Sequence, residues 1–140
     1  MATREIYNTV RSLRHLGSAA RTATPSVTGV DTSGFGSVGF ITNVGAAGIT
    51  LSGSNYITLQ MQESDDNSTF TNVATADALG GAAVVLDANA KADLNYRQDY
   101  LGSKRYVRLV PTYTGTHGTG TIIGVTAVMS HATLSPVSHG

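Results

Sequence analysis

Four histidines, His15, His117, His131 and His139, are the residues best suited to acid–base or metal chemistry, and the chain has no cysteine. Nucleophilic hydrolysis needs a serine beside an imidazole that an acid orients. Serines are frequent, but no G-x-S-x-G elbow presents one. The histidines lack the paired spacing of a metal site, and without Cys there are neither thiolate ligands nor disulfides. Glu63, Asp65 and Asp99 can be combined into a carboxylate pair of the glycosidase type, a signal that any all-β chain offers. Asp65-Asp66-Asn67 invites a calcium reading, yet the spacing follows no calcium-loop pattern and the distal bidentate Glu is missing. Asn67-Ser68-Thr69 matches a glycosylation acceptor, a coincidence in a chain whose start lacks a signal-peptide core. Gly115-Thr116-His117-Gly118-Thr119-Gly120 is glycine-rich but links two strand-like runs instead of opening a helix, so it is no phosphate cradle. His117 reads as a turn residue. These residues predict no enzyme, no cofactor and no metal.

The elements that would position any such groups read as strands. From Lys104 to Thr114 the side chains alternate, with Arg105, Val107, Leu109, Pro111 and Tyr113 on one face and Tyr106, Arg108, Val110, Thr112 and Thr114 on the other. Thr121–Ser130 is apolar on both faces, the pattern of a strand buried between layers. With the glycine-rich link between them, the two runs predict a long central antiparallel hairpin. Tyr56–Glu63 is amphipathic, Ile57, Leu59 and Met61 opposing Thr58, Gln60 and Gln62; the uncharged polar face suits either solvent or an interface. Phe35–Val44 predicts a further strand, and Val27–Val30, Ile49–Leu51, Phe70–Val73 and Val84–Leu86 shorter ones. Asp31–Gly34 and Ser64–Thr69 read as turns, because Asp and Asn side chains bond nearby amides. Ala74–Ala83 reads as a loop with one helical turn, and 87–99 as a polar crossing at the rim. The expected fold is all-β, an antiparallel β-sandwich spanning residues 25–140 with a short C-terminal tail.

Residues 1–24 are ambiguous. Ile6, Val10, Leu13 and Leu16 fit helical spacing loosely, while Tyr7, Thr9 and Val10 favour an extended chain. We read an extended N-terminal arm that orders on a neighbour. Net charge is zero but uneven: residues 1–21 carry +3, 22–100 carry −6 and 101–140 carry +3. A basic arm and an acidic middle predict docking onto a charged protein surface or another copy of the chain. Four arginines without interleaved aromatics do not predict direct nucleic-acid binding. No apolar run reaches the roughly 18–20 residues of a membrane span. Aromatic residues make up 6% with no Trp, a poor composition for a sugar-stacking platform. The lack of Cys leans toward an intracellular origin.

The order of segments resembles a family of small tailed-phage and prophage capsid decoration, or cement, proteins. The residues that carry the resemblance are M-A-T-R-E-I-Y-N at Met1–Asn8, F-G-S-V-G-F-I-T-N-V-G at Phe35–Gly45, L-Q-M-Q-E-S-D-D-N-S-T-F-T-N-V at Leu59–Val73, Y-L-G-S-K-R-Y-V-R-L at Tyr100–Leu109, G-T-H-G-T-G, and the ending S-H-A-T-L-S-P-V. The resemblance implies a jelly-roll-like β-sandwich and a non-enzymatic homo-oligomer, dimer or trimer, on the outer surface of the virion capsid. There it would clamp units of the major capsid protein. The family lends no motif-level site residues; the basic charge of the arm makes Arg4, Tyr7, Arg11 and Arg14 the expected contacts with neighbours. A phage tail, neck or baseplate component and a glycan-binding β-module are the alternative readings.

Overall fold

A computed structural model describes residues 6–133. Ten strands follow one another: β1 (Arg11–Arg21), β2 (Val30–Asp31), β3 (Phe35–Val44), β4 (Tyr56–Ser64), β5 (Thr71–Asn72), β6 (Ala78–Leu79), β7 (Ala83–Leu86), β8 (Asn95–Tyr100), β9 (Tyr106–Thr114) and β10 (Thr121–Ala132). All pairings are antiparallel. Sheet A has the order β1-β10-β3-β8-β6; sheet B has β2-β9-β4-β5, with β7 on the same edge of β4 as β5. The chain shuttles between layers and returns its last strand beside its first. That is a jelly roll, as expected.

Alternation builds the interlayer. Ile57, Leu59 and Met61 of β4 and Val107 and Leu109 of β9 are fully buried. Against them sheet A packs Val38, Phe40 and Val44 of β3 and Ile123, Val125, Ala127 and Met129 of β10. A period of two puts each set on one face, and burial of both sets at once holds the sheets together.

Several expectations are corrected. β9 and β10 do not form a hairpin: β9 pairs β4 and β2, and β10 pairs β1 and β3. Both runs carry an apolar face that must point inward, and the two sheets offer those places from opposite sides. The six-residue link crosses the ~10 Å between sheets. Gly115 and Gly120 turn it at φ +85° and +76°, where a Cβ would strike Ser54 and Arg21 backbone respectively. His117 is buried within this arch, its Nε2 2.8 Å from Thr114 O and its ring edge-on to Tyr113. Second, the stretch read as an arm is largely sandwich. Arg11–Arg21 pairs with β10 across two register shifts and buries Leu16, because β10 has apolar side chains that need cover to its far edge. Third, the polar stretch 87–99 contains β8, whose Tyr96, Gln98 and Tyr100 face inward while Arg97 and Asp99 face out. Fourth, β10 is covered on one face only: Ile122 is 50% exposed and Thr126 is exposed. Val27–Gly29 and Ile49–Leu51 are loop, and the early strand shrinks to β2.

Leu59 sits at the centre of the interlayer. Leu59→Ala should lower the unfolding free energy by about 2–5 kcal/mol in urea titrations monitored by circular dichroism, while Thr58→Ala on the opposite face should cost less than about 1 kcal/mol.

Candidate partner-binding surfaces

The anticipated contact residues separate. Arg4 lies outside the described residues. Ile6–Val10 forms a turn closed by Thr9 and Val10 amides donating to Ile6 O at 3.1 and 3.0 Å. Ile6 and Tyr7 project from it, 71% and 66% exposed. On β1, alternation sends Arg14 outward to solvent, whereas Arg11 shares the inner side with Leu13 and has a buried Nε. The structure therefore brings Tyr7 and Arg14 to the surface at one border of the sandwich and removes Arg11 from that set.

The inner side of β1 makes an unforeseen connection. β2 covers only Val107 and Tyr106 of β9, leaving the rest of that edge without a strand partner. The Leu109 amide donates to His15 Nε2 at 3.0 Å, and the Tyr113 amide donates to Thr24 Oγ1 at 2.9 Å. Pro111, midway between them, has no amide to satisfy. His15 thus ties sheet A to sheet B, its ring 4.9 Å from that of Phe40. A backbone N–H can only donate, so Nε2 is the acceptor and the imidazole is neutral with its proton on Nδ1. Burial lowers its pKa from 6.5 to about 4, and the nearby Arg108 charge adds to the shift.

The outer face of sheet A is laid out by register. One row reads Arg14, Thr126, Ile41 and Arg97; the next reads Ser12, Val128, Gly39, Asp99 and Leu79. Arg14, Arg97 and Asp99 are exposed and make no ion pair or hydrogen bond among the described residues. Beside Arg97 and Asp99, and away from Arg14, lies a dent of about 290 Å³ lined by Ile41, Val128, Leu101, Ser37, Arg97 and Asp99. Its floor is Gly39, where a Cβ would collide with the Asp99 carboxylate. These residues were legible only as alternation within 95–100, which the polar composition concealed.

The outer face of sheet B is different, since its polar groups are spent internally. Gln62 accepts from Arg108 Nε at 2.9 Å and donates to Asn72 at 3.0 Å. Gln60 donates to Met61 O and Ala82 O. Arg108 also donates to Val27 O at 2.8 Å and lies over the Phe70 ring at 3.9 Å. The acidic turn behaves likewise. Asp66 accepts from the Ser68 and Thr69 amides, Asp65 pairs with Lys104 at 2.6 Å, and Asn67 accepts from the Gly29 amide. The three groups point at three partners and do not converge on one ion. Among the described residues no three His, Asp or Glu side chains cluster as a metal site. Ser37 Oγ lies 2.7 Å from both Ser130 Oγ and His131 Nδ1, an open Ser–His contact at the end of the β3–β10 ladder without a carboxylate partner among the described residues. Among the described residues no helix is long and apolar enough to cross a membrane.

No protein-family model and no curated protein matches the chain. Among solved structures, the crystal structure of PBSX exported protein XepA is similar, with a TM-score of 0.56 and 18% identity. The alignment takes in 99% of this chain but 43% of that one, so the chain spans less than half the length of its neighbour. The likeness is one of fold.

The His15 tie predicts a pH dependence. The folded state holds the imidazole neutral to about pH 4, while the unfolded chain takes up a proton near 6.5. Stability from this residue is therefore complete above 6.5 and drains as pH falls toward 4, by up to about 3 kcal/mol. Urea unfolding at pH 7.5 and pH 4 should show that loss, and His15→Phe should flatten the dependence over the same interval.

Proposed function

We propose that this chain is a non-enzymatic virion structural protein, seated on the outside of a phage head, where it braces contacts between units of the major capsid protein. The observation that carries the reading is the border that leads from Ile6 and Tyr7 into β1: two large exposed side chains, then Arg14, exposed and without an ion pair among the described residues, on a strand locked into the sandwich. Aromatic and arginine side chains are those that protein interfaces favour. A basic border of this kind complements an acidic shell. The order of segments resembling decoration proteins supports the reading. So does the fold shared with a phage-related exported protein, XepA. Many copies on a lattice would make modest single contacts collectively firm. Because the strand bearing Arg14 is part of the sandwich, its contact surface is held in shape before docking and little ordering entropy opposes binding.

The test is co-sedimentation with expanded heads lacking the protein. Removal of residues 1–24 would strip a sandwich strand, so the informative changes are smaller: deletion of residues 1–10, and Arg14→Glu. The intact chain should bind saturably, and Arg14→Glu should weaken binding roughly tenfold or more while the circular dichroism spectrum is unchanged. Absence of shell binding by the intact chain, with association to tails, would overturn the reading in favour of a tail component.

A further inference from the structure

We infer that the centre of the outer face of sheet A is a self-association surface, and that two copies of this chain meet there about a two-fold axis. Independently of the head-binding reading, strand register sets the charges of this face. Arg97 and Asp99 stand two residues apart on β8, about 7 Å along the strand, both outward. Neither finds a counter-charge among the described residues, whereas Asp31, Asp65 and Asp87 each pair with a basic residue of their own chain; the exposed Asp93 likewise has no ion pair there. The two belong to adjacent rows, the Arg97 row with Ile41 and the Asp99 row with Gly39.

A two-fold axis running across the strands between these rows exchanges them. Arg97 of one copy then faces Asp99 of the other, and the reciprocal pair forms by symmetry, as an isologous interface requires. The same operation sets Ile41, 37% exposed, opposite the Gly39 row of its partner, where the dent lies. At about 290 Å³ and open, that dent has room for one branched aliphatic side chain. Leu79 and Leu101, 57% and 55% exposed, and the half-buried Val128 border the charges. Their burial would supply the apolar centre that stable interfaces have, around two charge pairs that fix the register. Facing sheets pack about 10 Å apart, a span that an Arg and an Asp reach together. A surface of some other partner would not have to carry the mirror order of charges; a second copy of this chain carries it necessarily. Arg14 lies two strands from β3, at the border.

Sedimentation equilibrium of the full chain at about 1–100 μM, without capsids, tests the inference. The wild type should be a monomer–dimer equilibrium. Arg97→Asp and Asp99→Arg should each raise the dimer dissociation constant at least roughly tenfold, since every copy then brings like charges together. Mixing the two variants should restore association, because each supplies the charge the other lacks. That recovery cannot arise from a folding defect, and circular dichroism of each variant provides a second check. A wild type that stays monomeric at 100 μM would overturn the inference, as would variants that dimerise like wild type or a mixture that fails to associate. A monomeric chain whose Arg97→Asp variant loses shell binding would transfer this face to the capsid; loss of the dimer with shell binding intact would leave the head-binding reading standing alone.

Discussion

Burial of one apolar layer between two sheets is the constraint on which everything else in this molecule depends. Each sheet presents a row of side chains that water disfavours, and neither sheet can cover its own. Phe40, Leu59, Met61 and Leu109 meet in the middle. Once they do, the strand order is restricted, because each strand must turn its apolar set toward the same layer. The glycine-rich link obeys this constraint when it leaves one sheet and enters the other. A hairpin would have satisfied the local turn chemistry, but burying both runs from opposite sides satisfies the core.

Apolar contact is non-directional, and polar ties make the arrangement specific. The Gln98 amide donates to Leu59 O at 3.1 Å and to Gly81 O at 2.8 Å, joining β8 to the opposite sheet. Tyr100 donates to Glu63 at 2.5 Å and accepts from the Lys104 amide, closing one end of the interlayer; burial and the Glu63 bond both push its phenol pKa up. His15 does the corresponding work at the β9 edge. Each tie spans the two layers and satisfies a group that would otherwise be buried without a partner. Sheet edges are managed in the same way. β9 is shielded by a histidine, a proline and a threonine in place of a full strand, and β1 is interrupted by register shifts that blunt further pairing.

With its polar groups spent on such ties, sheet B has little to offer a partner. Sheet A keeps uncompensated charges and exposed aliphatic residues on its outer side. The asymmetry assigns scaffold work to one layer and contact work to the other. Both proposed contacts follow from it: the border at Ile6, Tyr7 and Arg14 toward a shell, and the β3–β8 centre toward a second copy. They occupy different parts of one sheet, so a single rigid body can serve both at once.

Much of this was legible in the order of residues. Alternation identified β4 and the β9 run, strand-type composition identified β3 and the β10 run, and Asp and Asn marked the turns, because side-chain period, strand preference and turn chemistry are local properties. The jelly-roll-like, all-β class followed from the same signals and from the resemblance. Partnership was not local. Whether β10 pairs with its sequence neighbour or with strands some ninety residues away depends on which arrangement covers more apolar surface. Alternation within one run does not record that competition. The same holds for β1, whose isolated residues fit a helix or an arm until β10 offers an edge, and for β8, whose inward Tyr96, Gln98 and Tyr100 count as polar until a second sheet supplies their partners. The sequence by itself determined which residues lie on a common face. The tertiary structure alone decided which faces meet, and so which arginines are left exposed, because hydrogen-bond pairing across a sheet and burial between sheets are won by the whole chain at once.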